Sequence, residues 1–265
     1  MAIEEESEVG PVLSIKGVGV SFRGIRALDD VSFDVPRGGL TAVIGPNGAG
    51  KTTLFNCISG IYAHEGSIEL TSEDVSRLRS DRRAARGISR TFQTPLLIPD
   101  LTALENVLVG AYSHTRGGVA SSILRLRGMR KDESNARHEA AELLERLRFP
   151  VPVDSPVASL PHGDRRRVEV ARALIGRPKV LLLDEPAAGL GAEEAELLVE
   201  EVSAVGTTRG STCVLVEHDV ALVRRVARHV VVLDAGRLLA QGDPDTIGRD
   251  PKVIAAYLGD DWVAA

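Results

Sequence analysis

Alternating and continuous apolar stretches fill the first part of this chain, between residues 12 and 44. The segments LSIKGVGVSF, VSFDV and TAVI have the two-residue period or the short apolar run that is typical of β-strands. The turn-rich Arg37-Gly38-Gly39 separates the last two segments. The pattern predicts a β-rich start to the fold.

Helical spacing dominates between residues 94 and 162. The segments LTALENVLVGAY and ESNARHEAAELLERLRF place apolar residues three and four positions apart. Gly117-Gly118 and the prolines at 150, 152 and 156 interrupt this pattern. We interpret residues 94–162 as an inserted helical lobe.

Strands and helices alternate in the rest of the chain. Strands are predicted over residues 67–70, 88–92, 180–184, 212–217 and 230–234, and helices over residues 51–60, 79–86, 164–176, 192–205 and 219–227. This alternation predicts an α/β fold with a mostly parallel central sheet that is covered on both faces. In such sheets, ligands bind at the carboxyl ends of the strands.

A glycine-rich loop follows the apolar run TAVI. Its sequence GPNGAGKTT fits the pattern G-x-x-x-x-G-K-[ST] and consists of Gly45, Pro46, Asn47, Gly48, Ala49, Gly50, Lys51, Thr52 and Thr53. The glycines let backbone N–H groups surround a phosphate, and the following helix N-terminus adds partial positive charge. Lys51 is expected to reach the β- and γ-phosphates, and the Thr52 hydroxyl to ligate Mg²⁺. The loop predicts nucleotide binding by a P-loop NTPase.

Composition narrows the protein class further. The 265 residues, 43% of them hydrophobic, suffice for one large α/β domain or for a core with a smaller lobe. A net charge of −5 offers no basic field, so no nucleic-acid partner is expected. Cys57 and Cys213 lie in separate apolar stretches and are predicted to be buried free thiols. No apolar run is long enough to span a membrane, and the acidic start is unlike a secretory signal, which favours a cytoplasmic protein.

Two carboxylates end the apolar strand VLLLDE, residues 180–185. Asp184 suits coordination of Mg²⁺, and Glu185 is placed to orient a water in line with the γ-phosphate. A capping role is the alternative for Glu185. Gln93 ends the segment ISRTFQ, and its amide suits contact with the metal and this water, although such a glutamine alone is more often solvated.

Two further segments carry chemistry. His218 follows a predicted strand in VLVEHD, where a ring N–H can donate to the γ-phosphate, although a lone histidine there is usually structural. The segment LPHGDRRRVEVARAL, residues 160–174, opens a helix whose N-terminus suits an anion. We interpret its arginine run, residues 165–167, as a solvated helix face in preference to an anion site.

In this order, the phosphate loop, glutamine, helix-opening glycine, acidic strand and histidine resemble the ATPase subunit of an ABC transporter. The resemblance covers about residues 12–258, between a flexible start at 1–11 and a tail at 259–265. It implies an antiparallel β subdomain at the N-terminal side of the core. It also implies that Phe22, 23 residues before Gly45, stacks on adenine, a core position being the alternative. The implied catalytic residues are Lys51, Gln93, Glu185 and His218, and the implied metal-site residues are Thr52, Gln93 and Asp184.

The resemblance also implies partners. Two such domains meet head to tail, and each ATP lies between one chain's phosphate loop and the other chain's signature segment, here with Gly163. ATP closes this homo- or heterodimer and hydrolysis reopens it, which moves an integral-membrane permease docked at the helical lobe. The chain is therefore expected at the cytoplasmic face of the cell membrane. Residues 94–100 are expected to line the permease groove, and the Leu96-Leu97-Ile98 patch is either exposed there or buried within the lobe.

This sequence departs from the family pattern at two places. The usual signature Leu-Ser-Gly-Gly-Gln is replaced by LPHGD, in which Pro161 removes a serine hydroxyl and a backbone N–H. His162 is a candidate replacement donor. The loop after Glu185 ends in Gly191 where the family has an aspartate. We expect catalysis to be kept.

The departures resemble the branched-chain amino acid importer subfamily, through TFQ, the AAGL after DEP, RR-x-E-x-AR and the ending VIAAYLG. Such importers pair two non-identical ATPase subunits with two permeases and a solute-binding protein, and the long segment 112–135 fits the larger ATPase subunit. Urea or amide importers and the lipopolysaccharide-export ATPase are the alternatives, and TFQ and EHD favour the importer. ABC ATPases that act on ribosomes or DNA usually carry two cassettes or long coiled-coil insertions, which 265 residues do not accommodate.

Overall fold

The computed structural model describes residues 10–112 and 126–257. Its strands are β1 (Leu13–Phe22), β2 (Ile25–Val35), β3 (Leu40–Ile44), β4 (Glu65–Leu70), β5 (Glu73–Asp74), β6 (Ile88–Arg90), β7 (Val180–Asp184), β8 (Thr212–Val216), β9 (His229–Asp234) and β10 (Arg237–Gly242). Its helices are α1 (Lys51–Ile58), α2 (Ser80–Ala84), α3 (Ala103–Tyr112), α4 (Leu126–Arg146), α5 (His162–Leu174), α6 (Ala192–Thr208), α7 (Val220–Val226), α8 (Pro244–Ile247) and α9 (Pro251–Ala256).

The strands form two sheets. An antiparallel sheet has the order β2-β1-β4-β5, and a six-stranded sheet has the order β10-β9-β3-β8-β7-β6. In the larger sheet β10 pairs antiparallel with β9, and the other neighbours pair parallel. The predicted α/β class, with a mostly parallel central sheet and an antiparallel subdomain at the N-terminal side, is confirmed.

Both faces of the larger sheet are buried, which explains why its strands are continuously apolar. Along β3, Leu40, Ala42 and Ile44 face a core that is shared with helices α3 to α7. Val43 faces the opposite core, which lies between the two sheets and includes α1. Because side chains alternate along a strand, each apolar strand serves both cores at once.

Most predicted elements are present, with ends shifted by a few residues. The bounds of β1 and β7 match the prediction, whereas the helix predicted over 164–176 begins at His162 and ends at Leu174. The strand predicted over 88–92 ends at Arg90. Helices α3 and α4 fall within the predicted lobe, whose limits at 94 and 162 stay a prediction.

Three elements near the end of the described chain were not predicted. Strand β10 follows a tight turn in which Ala235 and Gly236 both have positive φ, 45° and 79°. Helices α8 and α9 each begin after an aspartate whose side chain accepts backbone N–H bonds, Asp243 and Asp250, and each has proline at the start. Strand β10 forms the edge of the larger sheet next to β9, and α8 and α9 pack against it.

The thiols agree with the prediction, since Cys57 and Cys213 are free and buried, and burial raises the pKa of each to about 12. Over residues 10–112 and 126–257, no helix is long and apolar enough to cross a membrane. The predictions for residues 1–9, for Gly117-Gly118 with most of the long 112–135 segment, and for the tail 259–265 fall outside the described residues.

Candidate active site

Four neighbouring parallel strands bring the predicted site segments to one edge of the sheet. The phosphate loop follows β3, His218 follows β8, Asp184-Glu185 ends β7, and Gln93 follows β6. These strands are adjacent in the order β3-β8-β7-β6, so their carboxyl ends lie side by side. This is the edge at which a ligand was expected.

The phosphate loop depends on its glycines for different reasons. Gly45, Gly48 and Gly50 have φ of 152°, 82° and 99°. A Cβ at Gly45 would lie 2.1 Å from the Leu233 carbonyl oxygen, and one at Gly50 would lie 2.8 Å from that of Ala27. Gly48 is exposed, with no atom within 4 Å of its Cβ position. The backbone is therefore packed at both ends of the loop and open at its crest.

Lys51 lies under this loop. Its side chain is buried, and Nζ donates to the carbonyl oxygens of Gly45, at 2.6 Å, and Pro46, at 3.1 Å. Burial lowers the pKa of Lys51, and the charges of Glu185 and Asp184 oppose that effect. Of the other loop residues, Ala49 is buried, Thr53 is half-buried, and Asn47 and Thr52 are exposed.

Gln93 and His218, two of the predicted catalytic residues, meet at the carboxylate of a third, Glu185. Gln93 Nε2 donates to Glu185 Oε2 at 2.9 Å, and His218 Nε2 lies 3.3 Å from the same oxygen. The Glu185 backbone has a φ of 48°, a conformation that is uncommon for a residue with a side chain, and its N–H donates to the Val216 carbonyl oxygen at 3.0 Å. The side chain thus bonds two other predicted site residues.

Arg90 is a site residue that the sequence analysis missed. Its Nη2 donates to Asp184 Oδ2 at 2.7 Å, and both side chains are almost fully buried. Its Nη1 donates to Asn56 Oδ1 at 2.6 Å and to Ser59 Oγ at 3.0 Å, and the guanidinium lies 5.1 Å from the centre of the Phe92 ring. One cation thus fixes the Asp184 carboxylate to the end of α1. The available signal was an arginine within a short predicted strand.

Glu217 is a second missed residue. Its buried carboxylate accepts the backbone N–H of Ala187 at 3.1 Å and that of His218 at 3.3 Å. It therefore connects the loop after Glu185 to the loop that carries His218. Burial raises the pKa of the Glu217 carboxyl, although these hydrogen bonds oppose the shift.

This raised pKa predicts how a Glu217→Gln variant responds to pH. The folded chain holds the Glu217 proton more tightly than the unfolded chain, so wild-type stability falls as pH rises from about 4.3 through the folded-state pKa. Glutamine cannot ionise and avoids this loss. We expect urea denaturation between pH 4.5 and 7.5 to show the variant gaining stability relative to wild type as pH rises. Exposed Glu193→Gln is the control, and a pH-independent difference for Glu217→Gln would contradict the expectation.

Phe22 ends strand β1 and is 43% exposed, so the alternative of a core position is wrong. The Tyr62 ring meets it edge to face, with centroids 5.2 Å apart and planes at 71°. An exposed ring face is what stacking on a base requires. The structure therefore leaves the adenine role open to Phe22, and that role stays a prediction.

The prediction that the arginine run 165–167 is a solvated helix face is wrong for two of its three residues. Arg166 is 1% exposed and Arg167 is 7% exposed. Arg167 Nε donates to the Leu147 carbonyl oxygen at 3.1 Å, which ties α5 to the end of α4. The backbone carbonyl oxygens that accept from both arginines lie in other elements, 20 or more positions away, and periodicity does not reveal such partners.

The signature segment lies at the start of α5. Gly163 is buried, and a Cβ at this position would lie 2.3 Å from Glu194 Oε1. His162 is exposed, and its Nε2 lies 3.2 Å from the carbonyl oxygen of Ala188, in the loop after Glu185. The segment is thus connected to the acidic strand within one chain, and the contribution of Gly163 to a second chain's nucleotide stays a prediction.

Comparison with known proteins identifies the family. The ABC transporter family matches residues 28–188, and the branched-chain amino acid ATP-binding cassette transporter family matches residues 237–263. The chain is 37% identical to the high-affinity branched-chain amino acid transport ATP-binding proteins BraF of Pseudomonas aeruginosa and LivG of Escherichia coli K12. Each alignment covers 94% of this chain and 98% of the relative.

Solved structures agree with this assignment. The ADP conformation of MJ1267, an ATP-binding cassette of an ABC transporter, superposes with a TM-score of 0.81 at 30% identity, over 94% of this chain and 99% of that one. The ATP-binding cassette MJ0796, bound to ADP and Pi as a dimer, superposes with a TM-score of 0.73 at 26% identity, over 88% and 98%. The chain belongs to the ABC transporter family, as an ATP-binding cassette with ATPase activity.

Proposed function

We propose that this chain hydrolyses ATP to drive the uptake of branched-chain or similar hydrophobic amino acids through a separate permease. ATP hydrolysis is supported by one observation: Gln93 and His218 both contact the Glu185 carboxylate, next to the phosphate loop. The solute class is supported by the relatives, whose names specify branched-chain amino acid transport.

In this proposal, Glu185 orients a water and accepts its proton while the γ-phosphate is transferred. The Gln93 amide holds one side of the carboxylate, and His218 holds the other and donates to the γ-phosphate. Lys51 and the loop N–H groups bind the phosphates, and the exposed Phe22 ring stacks on adenine. Each role is assigned to a side chain that lies at the appropriate strand end or loop.

The residues present suit Mg²⁺. Thr52 offers an exposed hydroxyl and Asp184 a buried carboxylate, and Mg²⁺ prefers such oxygen ligands, together with phosphate oxygens and water. Gln93 adds an amide oxygen. When bound, the ion would neutralise charge that develops on the phosphates. Arg90 bonds Asp184 and would hold this carboxylate in place beside the ion.

We further propose that two cassettes assemble head to tail, with Gly163 of each facing the nucleotide of the other. ABC cassettes do form dimers, as MJ0796 illustrates. With Pro161 at the N-cap, backbone N–H groups of α5 and the exposed His162 are the donors available to the phosphate. Gly191, in place of an aspartate, leaves that loop without a carboxylate for contacts across the dimer.

The permease is proposed to bind the lobe of residues 94–162 and to hold the chain at the cytoplasmic face of the membrane. Leu96 is 58% exposed and Ile98 is 42% exposed, whereas Leu97 is half-buried against the core. Val109, on the nearby helix α3, is 39% exposed. An apolar patch of this kind on a charged protein favours a protein partner.

A Leu96→Asp substitution tests this docking surface. The side chain is already exposed, so thermal stability should change little, but a carboxylate buried against the permease would be unpaired. We expect at least about tenfold less cassette to co-purify with the permease. Leu197→Asp, at a 37% exposed leucine of α6, is the matched control. Equal recovery of both variants would refute the docking assignment.

Reconstitution tests the function itself. The chain is co-purified with its permease subunits, placed in proteoliposomes with the solute-binding protein, and supplied with MgATP. ATP-dependent uptake of leucine, isoleucine or valine is the expected result. Uptake of urea alone, or movement of a lipid in place of an amino acid, would overturn the proposed solute class.

A further inference from the structure

A buried ion pair on helix α5 holds the backbone from which Gln93 projects. Arg166 Nη1 donates to the Phe92 carbonyl oxygen at 2.5 Å, and Nη2 donates to that of Gln93. The Phe92 N–H donates to Glu169 Oε1 at 3.1 Å. Arg166 and Glu169 are themselves paired at 3.2 Å, with both side chains 1% exposed. Two side chains thus satisfy three backbone groups of the glutamine loop.

The same helix face continues this contact along the loop. Arg172 Nη1 donates to the Leu96 carbonyl oxygen at 2.5 Å. Arg166, Glu169 and Arg172 are spaced three residues apart, which places them along one side of a helix. Helix α5 therefore holds residues 92–96, from the catalytic glutamine to the start of the apolar patch.

These bonds begin where the sheet ends. Strand β6 ends at Arg90, and the Thr91 N–H makes the next bond, to the Leu182 carbonyl oxygen at 2.9 Å. Beyond Thr91, the backbone groups of Phe92 and Gln93 are partly buried and have no neighbouring strand as partner, and polar groups shielded from water are costly to leave unpaired. Arg166 and Glu169 supply them with charged groups, whose hydrogen bonds are stronger than neutral ones.

An ion pair of this kind is a costly way to fill a core. Desolvation offsets much of the attraction between two buried charges, and apolar residues of similar volume often stabilise a fold as well or better. What the planar guanidinium adds is directed, two-pronged bonding that fixes two adjacent carbonyl oxygens. Its contribution is therefore the position of the glutamine loop.

We propose that Arg166 is a positioning residue for ATP hydrolysis, which holds the Gln93 backbone so that the Gln93 amide meets Glu185. Glu169 completes the clamp from the N–H side. Since α5 begins at the signature residues His162 and Gly163, the clamp joins the position of the signature to that of Gln93. The inference rests on the proposed roles of Gln93 and Glu185.

A double-mutant cycle on the full chain tests it. Arg166→Met, Gln93→Ala and the double variant are compared for kcat, for KM of MgATP and for thermal melting. If Arg166 acts through Gln93, each single variant lowers kcat by roughly 10- to 100-fold with little change in KM, and the double variant is no slower than Gln93→Ala. Multiplied losses in the double variant would overturn the proposal.

Conservative variants guard against a folding defect. Arg166→Lys keeps the charge but not the two-pronged geometry, so its kcat should fall between those of wild type and Arg166→Met. Glu169→Gln keeps an acceptor for the Phe92 N–H, so its kcat should fall less than that of Glu169→Ala. Lys16→Met, which removes an exposed pair with Glu69 outside the lobe, is the control and should leave kcat unchanged.

The possible outcomes distinguish a failure of the Arg166 proposal from a failure of the proposed ATPase mechanism. A slow Gln93→Ala variant with multiplied losses refutes the role of Arg166 and leaves the ATPase mechanism standing. Parental kcat in Gln93→Ala removes Gln93 from the mechanism, and the clamp with it. A wild-type chain that binds MgATP and never hydrolyses it, even with its permease, refutes the proposed mechanism before Arg166 is considered.

Discussion

A Glu185→Gln variant is expected to release phosphate from ATP at least about 100-fold more slowly than wild type, with nearly unchanged affinity for MgATP. The substitution keeps the shape of the side chain and an oxygen that can accept from Gln93 and His218, which lie 2.9 Å and 3.3 Å from Glu185 Oε2. It removes the negative charge and the site that takes up a proton from water. Steady-state phosphate release and calorimetric MgATP binding measure the two quantities.

The same variant has a second readout. If ATP bridges two cassettes and hydrolysis separates them, a variant that binds ATP without hydrolysing it should accumulate as a dimer. Light scattering with and without MgATP measures this directly. Glu200→Gln, at an exposed position of α6, is the control and should behave as wild type. Parental turnover in Glu185→Gln would remove Glu185 from its assigned role.

The parts of this site that were predictable from sequence are local. The phosphate loop needs glycines at fixed offsets and a lysine at the start of a helix, and all of these lie within nine residues. Three other predicted groups each follow a separate strand: Gln93 follows β6, Glu185 follows β7 and His218 follows β8. Parallel pairing places such ends together, so the prediction required the sheet and no side-chain detail.

The buried arginines were not predictable in this way. Arg90 bonds Asp184, which lies 94 positions away, and Arg166 bonds the carbonyl oxygens of residues 92 and 93, more than 70 positions away. A charge on a helix is usually solvated, and only the tertiary contact shows otherwise. The RR-x-E-x-AR string resembles a subfamily motif. The structure shows what its arginine and glutamate do: they bond the backbone of the loop that follows β6.

Helices α8 and α9 were also not predicted, although the sequence does carry a signal for the start of each helix. Each begins with Asp-Pro, an aspartate at the N-cap followed by a proline whose missing N–H costs nothing at the first helical position. Their lengths, four and six residues, are too short for apolar periodicity to register. The Asp-Pro pairs could therefore have predicted the starts of both helices where apolar periodicity could not.

A Lys51→Met variant is expected to bind MgATP about 100-fold more weakly, equivalent to about 2.8 kcal/mol. The ammonium lies under the phosphate loop, where Gly45 and Pro46 accept its hydrogen bonds, so it is already in place for a triphosphate. Because burial weakens screening, its bonds to phosphate are worth more than those of a surface lysine. Methionine keeps the length and apolar stem of the side chain and removes the charge. Calorimetric titration with MgATP measures the loss.

The matched control is Lys179→Met, which removes an exposed ammonium that bonds Thr71 Oγ1 at 3.1 Å. This control should leave MgATP affinity and turnover unchanged, which separates a lost site contact from a general change in charge.

Thermal melting of wild type and Lys51→Met tests whether the substitution destabilises the fold. The Lys51 ammonium is buried with carbonyl oxygens and two nearby carboxylates as its partners, so its removal also takes a costly charge out of the core. We therefore expect the melting temperature without nucleotide to stay the same or rise. Weakened binding in a variant of equal or greater stability would assign the loss to the phosphates, whereas unchanged affinity would mean that another group holds the nucleotide.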